Sequence, residues 1–436
     1  MKIKSRNLGY FETFTALMHD HCYGGANIGT IINFSGKLDK NIIKEVLLSI
    51  QKKHPILRAG MYKKEDGQYQ FKYDEEKHPV SLKVLDRDKC IPALSILERE
   101  VGIPYELKTC LWKCILLYGG TDTGSEHELI LFAHHSVMDG MSTIQFIKDF
   151  MNFTAVLSDG KPINNLSSLP VLYSIEHYAG KEKITWSEYL EKQLELSQNP
   201  PLRNSDWHYI NNTDIKNRIA RIYNISLPSE KLSMLINNCR AKQVTVNNAL
   251  NAAALIAFTA KYNKNHAELN LPTPVNMRMH SKPVIGPENM GNFVNWLPVF
   301  IKYKNDETFW DTAKKYRESF NKSLNTFGHN PEVCDPEYVL EKEVICFNYP
   351  EYSPPPNFCT VTNLEVVQLD KKYSHFILEK MNYAVAFTCG GTGIAIICHT
   401  FRDTLNFNIC YTEPLFDEAW IKEFSENFIT LLKGNV

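Results

Sequence analysis

The chain has no excess of charge of either sign. Lys and Arg number 48 against 49 Asp and Glu, a formal net charge of −1. A protein that neutralises a phosphate backbone carries a basic surplus. The basic residues here come as isolated pairs such as Lys2 and Lys4 or Lys52 and Lys53, so nucleic acid is excluded as the expected partner. Long hydrophobic runs are also missing. The richest, residues 252–260, is too short to span a bilayer and is flanked by polar residues, so no transmembrane segment is expected. The opening MKIKSRNLGYFETF has charge but no apolar core, so a secretion signal is not expected and a cytoplasmic location is. The eleven cysteines are odd in number, scattered, and form no CxxC pair. They predict reduced thiols packed as small hydrophobes rather than a disulfide framework. Hydrophobic residues at 44% and charged residues at 22% are ordinary globular values and exclude disorder as the main state.

Neither GxxxxGK[ST] nor GxSxG occurs. GGTG at 390–393 has strand-like flanks on both sides, which predicts a hairpin turn rather than a phosphate loop. HDHC at 19–22 superficially resembles a metal cluster, but no second ligand pair at metal spacing accompanies it, so no metal is expected. Cys110 and Cys114 share one face of a strand and read as packing.

At 436 residues the chain predicts two or three domains or two large sub-domains. Strands are expected at 28–36, 56–62, 68–73, 110–120 and 127–135, the last an almost unbroken apolar run of the kind found in a sheet centre. Asp39 caps a helix that Pro55 ends, and Asp66-Gly67 marks a hairpin. A helix follows at 141–157. Residues 158–169 are polar with Gly, Pro and Asn, and separate a half at 1–157 from a half at 186–436, with 158–185 as crossover. The second half predicts helices at 186–197, 229–241, 246–262, 307–326 and 416–433. Its strands fall near 218–226, 268–275, 293–303, 383–389, 393–400 and 404–411.

One run carries chemistry. LFAHHSVMDGMS places His134, His135, Asp139 and Gly140 as HHxxxDG where a buried strand opens into a helix. Chance would give those identities in roughly one chain in a thousand of this composition. Adjacent residues at a strand end point to opposite faces, so one histidine can face a cleft while the other faces inward. A neutral imidazole can take a proton from a hydroxyl or amine attacking a carbonyl. Asp139 can anchor the turn, and Gly140 can supply a backbone shape that other residues resist. The alternative is that both histidines are satisfied core or turn residues.

HHxxxDG resembles the signature of the chloramphenicol-acetyltransferase-like acyltransferases. That superfamily includes condensation domains of peptide synthetases, plant BAHD acyltransferases, alcohol acetyltransferases and mycobacterial polyketide-associated acyltransferases. KHPILRAG at 53–60 is similar to the family's early H-P-x-L-R segment, and PVNMRMH at 274–280 to its N-x-R segment. Residues 288–293 are similar to E-x-x-G-N-F, and CTVTNLEVVQL at 359–369 to the late S-N-x-G segment, with Glu365 where Gly is usual. The plant motif D-F-G-W-G is absent.

The resemblance implies an α/β fold of two sub-domains, each a mixed sheet with helices, with an active-site tunnel between them. It implies His135 as general base, His134 as mainly structural, and Asp139 paired with Arg278 across the two halves. Gly140 lets the helix approach, Arg58 braces the first half, with a surface or buried structural Arg as its alternative, and Asn363 is a candidate substrate-channel residue, with an ordinary strand-end Asn as its alternative. The implied reaction moves an acyl group from an acyl-CoA thioester, a co-substrate rather than a tightly bound cofactor, to a small-molecule alcohol or amine. No covalent acyl-enzyme is expected, and no adenylation or carrier domain. One rival is a stand-alone condensation enzyme that uses an acyl-carrier protein and forms an amide. The other is an inactive binding protein.

Overall fold

The computed structural model describes residues 4–25, 27–73, 79–164, 166–179, 213–262, 265–327, 359–386 and 393–434, with isolated residues between 188 and 211. They fall into two compact units. The first comprises Met1–Gly180, Asn276–Phe293 and Gln368–Val385; the second comprises Lys181–Val275, Val294–Val367 and Ala386–Val436. The expected halves, 1–157 and 186–436, are therefore corrected in one respect. Two stretches of the later sequence, including the N-x-R segment, return to the first unit.

In the first unit, strands β1 (Ser5–Asn7), β3 (Ala59–Lys63) and β4 (Tyr69–Tyr73) form a small sheet in the order β1-β4-β3. The main sheet contains β2 (Asn27–Ser35), β5 (Leu82–Asp86), β6 (Trp112–Tyr118), β7 (Glu126–His134), β14 (Lys372–Tyr373) and β15 (Phe376–Val385). Its order is β14-β15-β2-β7-β6-β5, antiparallel except for the parallel pair β5 and β6. Strand β7 sits inside it, and Leu129 to Ala133 are all at most 1% exposed. That is why its sequence is a continuous apolar run rather than an alternating one. Helices α1 (Tyr10–His21), α2 (Ile43–Lys53), α3 (Ala93–Val101), α4 (Gly140–Ser158) and the short α5 (Ile175–Ala179) complete the unit. Helix α3 packs on β2 and β7, and α2 on α4. Trp112 is fully buried; its indole N–H donates to Leu57 O at 2.9 Å, and its ring meets Phe146 edge-on.

The second unit has helices α6 (Ser229–Ala241), α7 (Val246–Lys261), α8 (Phe309–Phe327) and α9 (Glu418–Gly434). Its main sheet runs β13 (Thr360–Val366), β16 (Ile394–Phe401), β17 (Thr404–Glu413), β8 (Ile219–Leu227), and β9 (His266–Asn270) pairs with β12 (Phe300–Lys304). A further pair joins β10 (Thr273–Asn276) and β11 (Val294–Leu297). Helix α7 is buried nearly all round, because its alanines let α8 and α9 approach closely. Thr245 and Asn248 cap it reciprocally, each side chain accepting the other's backbone N–H at 3.2 and 2.8 Å.

Two expectations change here. The strands expected at 383–389 and 393–400 are not hairpin partners: β15 pairs with β2 and β14, while β16 pairs with β13 and β17. Residues 387–392 of the supposed turn, and most of the helix expected at 186–197, lie outside the described residues. Thiols at Cys90, Cys110, Cys114, Cys239, Cys359, Cys398 and Cys410 are free, whereas Cys22 is disulfide-bonded, against the expectation of reduced thiols throughout.

The unusual Glu365 has a structural setting. The pairing of β13 with β16 shifts register between Asn363 and Val366, and Glu365 lies there, exposed, with φ of 59°. An L-residue is strained in that left-handed region and Gly is not, which explains why Gly suits the position. Glu365→Gly is expected to raise stability by about 0.5–1 kcal/mol, and Glu365→Val to lower it by at least as much. Urea unfolding midpoints check this; a Gly variant less stable than the parent chain would remove the strain account.

Candidate active site

The site forms where β7 stops. His134 is its last residue, its amide donating to Leu111 O at 2.9 Å, and it is 1% exposed. Its Nδ1 accepts the Ser136 amide at 3.1 Å and faces Ser136 Oγ at 2.7 Å, so a neutral ring carries its proton on Nε2. That Nε2 is buried without a partner. The His19 ring lies 5.1 Å away and the Tyr105 ring 6.5 Å. Burial pushes the His134 pKa well below the ordinary histidine value, and the neighbouring His19 and His135 push it further. His134 is a sealed, neutral packing residue.

His135 opens the turn and differs in each respect. Its side chain is half-buried, with Nδ1 sealed and without a well-formed hydrogen bond, while Nε2 is not sealed in. The Phe11 ring of α1 stands edge-on to it at 6.1 Å. Burial lowers the His135 pKa below 6.5; the carbonyls of His135 and Met138 and the Asp139 carboxylate oppose that without reversing it. The ring is therefore neutral near pH 7, with one nitrogen accessible.

Asp139 ends the turn and caps α4. It is fully buried, and its Oδ1 accepts Ser142 N–H at 2.8 Å. Arg278, 2% exposed, grips it at both oxygens, NH1 to Oδ2 at 2.7 Å and NH2 to Oδ1 at 3.0 Å. Oδ2 also accepts the Phe293 amide at 3.0 Å. Burial alone would raise the Asp139 pKa; the charge and hydrogen bonds of Arg278, with the Phe293 and Ser142 amides, outweigh it and hold the carboxyl ionised.

A strap at 289–293 runs along this pair. Arg278 NH2 donates to Asn289 O at 3.3 Å, and Asp139 N–H to Gly291 O at 3.2 Å. Ser142 Oγ accepts from Arg278 NH2 at 2.9 Å and from Gly291 N–H at 3.1 Å. The Phe293 ring lies 4.8 Å from the Arg278 guanidinium carbon. A Cβ on Gly291 would sit 2.7 Å from the Phe293 ring, so only glycine fits. Asn292, 2% exposed, donates from Nδ2 to His135 O at 2.9 Å.

The structure thus brings His134, His135, Asp139 and Arg278 into one place. Two implications are corrected. Arg278 shares a unit with Asp139, so their contact does not bridge two halves. Gly140 is the first residue of α4 and is not among the positive-φ residues, so the special backbone expected of it is absent. Asn363 belongs to the second unit, where its Oδ1 accepts the Glu365 amide at 2.9 Å. Arg58 NH2 donates to Ser168 Oγ at 3.2 Å near the surface. Within HDHC, His19 accepts the Tyr105 amide at 2.8 Å and Asp20 accepts from the Tyr69 hydroxyl, and no metal-holding group is found among the described residues. Sequence reasoning missed Ser142, Asn292 and helix α1. Ser142 closes the LFAHHSVMDGMS run and Asn292 is the Asn of the E-x-x-G-N-F segment, and their roles depend on contacts over more than a hundred residues.

Comparison with known proteins gives a consistent picture. The family model described as Condensation domain matches residues 14–435. Cyclosporin synthetase simA of Tolypocladium inflatum is 23% identical over 300 residues, which is 66% of this chain but 2% of that protein. The chain therefore spans only a small part of that curated relative. Among solved structures, the TRI3 trichothecene 15-O-acetyltransferase of Fusarium sporotrichioides aligns with a TM-score of 0.76 at 11% identity, covering 99% of this chain and 95% of that one. The first condensation domain of the calcium-dependent antibiotic synthetase aligns with a TM-score of 0.72 at 16% identity, covering 99% and 96%. Both show the same α/β fold.

Burial of neutral histidines has a consequence for stability. His54, His127, His134 and His135 all have folded pKa values lowered chiefly by burial. Each favours folding fully above the unfolded value of about 6.5 and loses that contribution as pH falls through its folded value, because the unfolded chain takes up the proton first. Unfolding free energy measured from pH 7.5 to 5 is expected to decline below about pH 6.5. A flat or rising profile across that window would contradict the assignment of these rings as buried and neutral.

Proposed function

The chain belongs to the Condensation domain family, a family of transferases and condensing enzymes, and on that premise we propose that it transfers an acyl group from a thioester to an alcohol or amine with His135 as general base. The observation that carries this reading is the contrast between two adjacent imidazoles, one sealed at both nitrogens and one open at Nε2. A ring held neutral at pH 7 can accept a proton, and a half-buried one can reach a substrate.

The neutral ring keeps its proton on the sealed Nδ1 and offers the Nε2 lone pair. As the acceptor oxygen or nitrogen forms a bond to the thioester carbonyl carbon, its proton passes to Nε2. Collapse of the tetrahedral intermediate breaks the carbon–sulfur bond, and the imidazolium returns the proton to the departing thiolate. Asp139 takes no proton in this scheme, since Arg278 holds it as a carboxylate. No residue of the turn forms a covalent acyl intermediate.

The donor we propose is acyl-CoA. A second reading, an acyl-carrier-protein thioester and an amide product, is favoured by the condensation-domain match and by the synthetase relative. Single-turnover assays with acyl-CoA and with acyl-carrier protein as separate donors distinguish the two. In either, His135→Ala is expected to lower the rate by about 10²–10⁴-fold with an unchanged circular dichroism spectrum. A folded His135→Ala chain that turns over at the parent rate would overturn the role of His135.

A further inference from the structure

We propose that Asn292 is a positioning residue for the base, acting through the backbone carbonyl of His135; this rests on the reading of His135 as general base. Within HHxxxDG the peptide that follows His135 is tied at its N–H, which donates to His134 Nδ1 at 3.1 Å, while its carbonyl finds its side-chain partner outside the motif. Strand β7 ends at His134, so the sheet no longer holds the chain at that point. The carbonyl end of that peptide is held by the side-chain amide of Asn292, which reaches back 157 residues in sequence to donate to His135 O at 2.9 Å.

Three features make this contact specific. Asn292 is 2% exposed, so water does not stand in readily for its N–H. Its backbone is fixed on both sides, by Gly291 O accepting the Asp139 amide and by the Phe293 amide donating to Asp139 Oδ2. The carbonyl it holds is also one that favours a proton on the His135 ring. Asn292 therefore governs both where the imidazole stands and how much of that carbonyl is left to bias its ionisation. The other titratable or charged groups around the ring are His134 and Asp139 on the same turn, His19 of α1 beyond His134, and Arg278 locked onto Asp139.

A residue that only stabilised the fold would change melting temperature and little else. A positioning residue changes kcat more than KM and moves the pH dependence. The test uses Asn292→Leu, which keeps volume and removes the donor, and Asn292→Ala in case the first folds poorly. Asn33→Ala, which loses a hydrogen bond to Glu128 elsewhere in the same unit, serves as a comparison for stability loss alone. His135→Ala is assayed beside them. With Asn292 replaced, kcat is expected to fall about tenfold to a hundredfold with KM nearly constant. The midpoint of the acid limb of activity is expected to rise, because the freed carbonyl turns wholly to the ring. A rate loss no larger than that of Asn33→Ala, or an unmoved or lowered midpoint, would overturn the role of Asn292. If His135→Ala retains activity, the base assignment itself fails instead.

Discussion

The bidentate contact between Asp139 and Arg278 is the constraint on which the rest of the site depends. Both side chains are withdrawn from water, and that withdrawal is costly enough that mutual attraction alone seldom offsets it. Here the surrounding groups make up the difference. Backbone amides of Ser142 and Phe293, the Ser142 hydroxyl and an aromatic face satisfy the charges from several directions. With Arg278 itself, these groups come from three pieces of chain: the first turn of α4, the short turn Arg278–His280, and the strap before residue 294. Their convergence on one carboxylate couples local helix capping to long-range tethering. The turn that presents His135 is consequently built as part of a packed polar node rather than as a free loop.

The two histidines follow from that arrangement. A strand end points successive side chains to opposite sides, so a pair of identical residues meets two environments. His134 goes inward and is closed off by Ser136, His19 and Tyr105. His135 goes outward against Phe11 and keeps one nitrogen open. Their chemical difference lies in burial and hydrogen bonding, not in residue type.

Much of this was legible in the sequence because it is local. The apolar run of β7, the cap at Asp139 and the helix after it are set by neighbours within a few residues, and HHxxxDG marks the turn directly. What was not legible depends on contacts distant in sequence. The return of 276–293 and 368–385 to the first unit is a matter of topology, and no spacing rule encodes it. The same holds for β15, whose partner β2 lies more than three hundred residues earlier, so that proximity in sequence to β16 suggested a hairpin that does not form. Glu365 departs from the family's usual glycine, yet only the backbone angle shows that glycine is the relaxed choice there. Gly140, by contrast, lies in a position that the helix itself accounts for.

Amide hydrogen exchange in an Arg278→Met chain tests the central claim most directly, because it reads the node without reference to activity. If the ion pair holds the strap and the turn together, protection at Asp139, Ser142, Gly291 and Phe293 should fall together, while the amides of β2 and β7 stay protected. Unchanged protection at those four positions would show that the turn is held by other forces and that Asp139 and Arg278 only fill space beside it.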